Sequence, residues 1–66
     1  MTAKQAHAMR CVEANHGEIS EGTLWYEGNG NPRRTLTSLV KHGLLVRRYY
    51  LDEEQGYLYS RPEVAA

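Results

Sequence analysis

The run Gly28-Asn29-Gly30-Asn31-Pro32 constrains this chain more than any other five residues. Two glycines set among asparagines form a turn signal. Asn31 followed by Pro32 is then a helix start: the Asn side chain caps the first turn, and proline at the first helical position lacks only an N–H that the helix would leave unsatisfied. One set of elements therefore ends before residue 28 and another begins at 32. With 66 residues in total there is room for a single domain, spanning 1–66, whose core will be small.

Ahead of the turn, Thr2-Ala3-Lys4-Gln5 has the pattern of a capping box. Ala3, Ala6, Met9 and Val12, with Cys11, supply an apolar stripe at three- and four-residue spacing, and Asn15-His16-Gly17 offers a left-handed stop. The spacing predicts a helix over 3–15. Glu18-Ile19 reads as a short extended link. Ser20 caps a second, short helix with Leu24 and Trp25 in the core and Tyr26 on its rim, although Gly22 weakens that helix by about 1 kcal/mol relative to alanine.

Beyond the turn, Leu36, Leu39, Val40 and Gly43 share one face of a third helix, while Arg34, Thr37, Ser38 and Lys41 share the other. Gly43 ends it. Leu44 to Leu51 is rich in β-branched and aromatic residues, Asp52 to Gly56 is a polar loop, and Tyr57-Leu58-Tyr59 resumes strand character, which together predict a hairpin. Leu36, Leu39 and Leu44 are expected to join the third helix to the hairpin, and Tyr49, Tyr50, Tyr57 and Tyr59 to form cross-strand pairs. A frayed tail is expected over about 62–66.

Eight cationic and eight acidic side chains cancel, which excludes a globally polybasic protein. A single cysteine cannot close an intramolecular disulfide, and no apolar run approaches the about 18 residues of a membrane span, so an intracellular, cytoplasmic protein with no membrane partner is the expectation. His7 and Cys11 at i, i+4 have spacing that permits zinc, with His16 or His42 to complete a set, but no paired-cysteine motif is present and neither metal nor cofactor is expected. Gly28-Asn29-Gly30 lacks the Lys-Ser/Thr of a phosphate loop, and nothing builds an oxyanion hole around Cys11; the expectation is a binding protein and not an enzyme.

The segment Thr35-Leu-Thr-Ser-Leu-Val-Lys-His-Gly-Leu-Leu-Val-Arg-Arg48, with Leu39 four residues before Gly43-Leu44-Leu45 and then Arg47, resembles the junction of recognition helix and wing in winged helix-turn-helix repressors of the multiple-antibiotic-resistance-regulator type. Gly56-Tyr57-Leu58-Tyr59-Ser60 is similar to the returning strand of such wings. The resemblance covers about residues 17–60. It implies an α+β fold, three helices followed by a two-stranded β-hairpin wing, and a small regulator, excisionase-like accessory or phage-encoded repressor acting on double-stranded DNA. It also implies Arg47 as a phosphate contact. The tip, Asp52-Glu53-Glu54, carries acids where the family often has Arg or Lys, and phosphate would repel it.

Charge is segregated in a way that fits such a role. Between Asn29 and Leu51 stand Arg33, Arg34, Lys41, Arg47 and Arg48 with no acid, whereas Glu13, Glu18, Glu21 and Glu27 precede them. A basic helix face with an adjoining basic strand is the electrostatic footprint of a duplex-binding surface; a solvated helix face is the lesser alternative. The candidate DNA-binding set is Asn31, Arg33, Arg34, Thr37, Ser38, Lys41, Arg47 and Arg48. Arg47 and Arg48 alternate across a strand, so only one of them faces a ligand. Other partners consistent with the sequence are a second copy in a homodimer and an acidic protein on the basic face; the latter is the alternative function, a winged-helix docking module that does not bind DNA.

Overall fold

In the computed structural model, which describes residues 1–63, the elements run α1 (Ala3–Ala14), β1 (Glu18–Ser20), α2 (Glu21–Tyr26), α3 (Pro32–Lys41), β2 (Val46–Asp52) and β3 (Gly56–Ser60). The tail expected to fray lies outside the described residues from 64 onward.

Each helix begins on its expected cap. Thr2 Oγ1 accepts the N–H of Gln5 at 3.1 Å while Gln5 Oε1 accepts that of Thr2 at 2.8 Å, the reciprocal pair that satisfies two orphan donors. Ser20 Oγ accepts from the N–H of Thr23 and Asn31 Oδ1 from that of Arg34. All three helices end alike, with a backbone N–H reaching back over the last turn: Gly17 to Val12, Asn29 to Leu24 and Leu44 to Leu39.

The sheet corrects the sequence expectation: it has three antiparallel strands in the order β1-β3-β2, not the two of an isolated hairpin. Glu18-Ile19, read as a link, is strand: Glu18 to Ser20 pair with Ser60 to Leu58, Ile19 opposite Tyr59. Three residues are too few for a period-two pattern to register. The β2–β3 register shifts twice, between Arg47 and Tyr50 and again between Tyr50 and Asp52, so that β2 is irregular on either side of Tyr50.

The core unites Ala8, Cys11 and Val12 of α1, Ile19, Leu24, Leu36 and Leu39, Leu45, and Tyr59. Helices thus cover the sheet face that bears Ile19 and Tyr59. Three side chains sit elsewhere than expected. The inward face of α1 is turned toward Ala8, leaving Ala3 exposed. Trp25 is 58% exposed because Leu24, one position and about 100° earlier on a six-residue helix, takes the inner site. Leu45 replaces Leu44: Gly43, at φ +77°, turns the chain out of α3 so that Leu44 is left 38% exposed and Leu45 points in at 2%. Of the expected cross-strand pairs, Tyr50 and Tyr57 meet edge to face with centroids 5.3 Å apart, while Tyr59 is in the core.

The hairpin turn docks on the start of α2. Gly22 donates its N–H to the Gln55 carbonyl, Gln55 Oε1 accepts from Ser20 Oγ at 2.6 Å, and Glu21 Oε2 accepts the N–H of Tyr57 at 2.8 Å. Asp52 Oδ1 closes the turn by accepting from the N–H of Gln55.

Candidate functional site

The start of α3 is held by buried polar contacts. Asn29, 2% exposed, donates from Nδ2 to the Lys4 carbonyl and accepts the Thr35 hydroxyl on Oδ1, each at 3.1 Å, so the turn is tied to α1 and α3 together. Its Nδ2 also faces His7 Nδ1 at 3.4 Å. The other ring nitrogen of His7, Nε2, lies 3.6 Å from Cys11 Sγ. Burial, then the charge of Glu27, raises the Cys11 thiol above its ordinary value.

With the buried side of α3 so fixed, Arg33, Arg34, Thr37 and Lys41 are exposed on the other. Arg34 and Lys41 are seven residues apart, about 10 Å along the axis. Arg33 is engaged: its Nε lies 2.7 Å from Oε1 of Glu21, a carboxylate whose side chain is 9% exposed, and that hydrogen bond and charge hold the guanidinium proton more tightly than usual. Thr37 shares a hollow with Val40, Val46, Arg47 and Tyr59. Burial, then Glu21, raises Tyr59 above the ordinary tyrosine value.

Arg47 closes this side of the site. Its guanidinium carbon stands 4.5 Å from the Tyr57 ring centroid, a cation–π contact that fixes a charged group without neutralising it. Arg33, Arg34, Thr37, Lys41 and Arg47 are thus the members of the predicted set that are exposed on α3 and the strand beside it, Arg33 being paired with Glu21.

The remaining members are differently employed. Asn31 Oδ1 caps the helix, and Ser38 Oγ, half-buried, accepts from Gln5 Nε2 at 2.8 Å. Arg48 is on the opposite face of β2, where Nε donates to Ser60 Oγ at 2.6 Å and Nη2 to the Arg61 carbonyl at 3.3 Å. Sequence reasoning missed Lys4. It lines one cleft with Arg34, Asn31 and Ser38, but it belongs to α1, and no spacing within the chain signals that adjacency.

Among the described residues no group of three or more His, Cys, Asp or Glu is gathered as metal ligands, and no helix is long and apolar enough to cross a membrane. The chain matches no protein-family model, no curated protein and no solved structure.

Proposed function

We propose that this protein binds duplex DNA as a small winged helix-turn-helix domain, with α3 as the recognition helix and β2–β3 as the wing, and serves as a compact regulator or DNA-processing accessory. The observation that carries this reading is the juxtaposition of Arg34 and Lys41, exposed on α3, with Arg47 on the neighbouring strand; among the described residues none of the three is in an ion pair. Phosphates attract such a surface, and an exposed Arg suits the paired acceptors of a guanine edge. The order helix, strand, helix, turn, helix, hairpin supports the same reading.

Direct titration tests it. Fluorescence anisotropy of a random-sequence duplex at low salt should show saturable binding that weakens as salt is added. Arg34→Ala combined with Lys41→Ala should weaken it further. A wild-type protein that leaves the duplex unbound at low salt would refute the reading.

A second reading, docking to an acidic protein through the same face, is favoured by the zero net charge and by the engagement of Arg33 with Glu21. Capture of an acidic protein partner, lost in Arg34→Ala, together with no duplex binding, is its signature.

A further inference from the structure

Strand β2 is one of the two outer strands of the sheet, with β3 on one side and no further strand among the described residues on the other. At seven residues it is the longest strand, and it carries three consecutive exposed apolar side chains: Tyr49 at 56%, Tyr50 at 51% and Leu51 at 42%. An edge strand offers a row of backbone donors and acceptors, and proteins normally blunt it with charge, brevity, bulges or cover; β2 has charges toward both ends and a register shift on either side of Tyr50. Three successive exposed apolar residues on such an edge do the reverse.

The charges of this edge are arranged in a particular order. Arg47 and Arg48 lie near its start, Asp52 ends it, and Glu53 is the first residue of the turn that follows. An antiparallel pairing of β2 with the same strand of a second copy, about a two-fold axis near Tyr50, sets the basic end of each copy against the acidic end of the other. It also gathers both Tyr49-Tyr50-Leu51 runs at the centre. A parallel pairing would oppose like charges.

From this self-complementarity we infer that the protein forms a two-fold homodimer through β2, giving one continuous six-stranded sheet, twice the three strands of each copy. The axis must stand normal to the sheet, because only that operation makes two copies of one strand antiparallel neighbours in a single sheet. Such an axis keeps both sheet faces distinct. Since the helices of each copy lie on the face bearing Ile19 and Tyr59, both α3 helices end on the same side of the dimer. The inference does not depend on DNA binding, and its test contains no nucleic acid.

Sedimentation velocity of the full chain over micromolar to millimolar concentration should shift from the 7.5 kDa monomer toward twice that mass. Tyr49→Asp combined with Leu51→Asp should remain monomeric while its circular dichroism melt stays cooperative. Glu53→Arg should raise the dimer dissociation constant by about tenfold, and mixing it with Arg47→Glu should restore association as a heterodimer. Hydrogen exchange of the wild type supplies a readout free of substitutions: β2 amides should gain protection as concentration rises while β1 amides do not. A monomer at every concentration, a dimer that survives the Tyr49/Leu51 replacement, or concentration-dependent protection confined to another surface would overturn the inference.

Discussion

Gly22 and Gln55, 33 positions apart, are joined by a hydrogen bond from the glycine N–H to the Gln55 carbonyl at 2.9 Å. The backbones approach so closely that a Cβ on Gly22 would fall 2.7 Å from the Glu54 carbonyl oxygen and 2.9 Å from the Gln55 Cα. The residue that weakens α2 as a helix is thus the one that lets the hairpin turn lie on it.

Gly22→Ala should therefore destabilise the protein, although the same change in an open helix gains about 1 kcal/mol. The clash is with backbone, which cannot swing aside, and overpacking of this kind costs about 1–3 kcal/mol. Urea denaturation should show a lower midpoint with an unchanged slope. A raised midpoint would mean that the turn does not rest on α2.

Replacing each of two adjacent leucines separates the observed core from the expected one. Leu45→Ala, at a position 2% exposed, should cost about 2–5 kcal/mol. Leu44→Ala, at 38% exposure, should stay within about 0.5 kcal/mol of wild type. Equal losses in thermal melts would contradict the chain direction assigned to Gly43.

Stability should fall on the alkaline side. Burial raises the Cys11 thiol above its ordinary 9.0 and the Tyr59 hydroxyl above its ordinary 10.0, so the folded chain keeps protons that the unfolded chain has released. The folded state then binds more protons than the unfolded, and the free energy of unfolding decreases as pH rises through that window; below it both groups contribute fully. Tyr59→Phe should flatten the upper part of the fall in urea midpoints measured from about pH 7 to about pH 11. A midpoint that rises with pH would show the sign to be wrong.

The cations should divide into kinds on DNA. Arg34→Ala should lower affinity for a specific site by about 1–3 kcal/mol, whereas Arg47→Ala should weaken all sequences alike and reduce the salt slope by about 0.9. Arg48→Ala should leave that slope unchanged and instead lower stability, because its guanidinium holds Ser60 and the Arg61 carbonyl. If Arg48→Ala reduced the salt slope as Arg47→Ala does, the assignment of faces on β2 would fail.

Much of this architecture is written locally in the chain. The caps Thr2, Ser20 and Asn31 and the stops at His16 and Gly43 are short-range signals that mark the helix ends. What depends on distant partners is not. The strand at Glu18–Ser20 exists because Leu58–Ser60 lies beside it, and the choice of Leu45 over Leu44 depends on how the chain leaves α3. At the candidate site the sequence shows five cations within one acid-free stretch, but it gives no sign that Glu21 engages Arg33, that Ser60 engages Arg48, or that Lys4 stands beside Arg34. Those relations arise only when separate elements meet.

The strand latest in the chain, β3, is the middle strand of the sheet. During synthesis, the helices and both outer strands emerge before the segment that joins them, and Tyr59, the largest fully buried side chain, emerges with that segment. A nascent chain stopped short of Gly56 holds two strands with no partner and a core lacking its largest member. The sheet therefore closes only once Gly56–Ser60 is available, and a chain cut before Gly56 is a species exposed to proteases and to other unfinished chains.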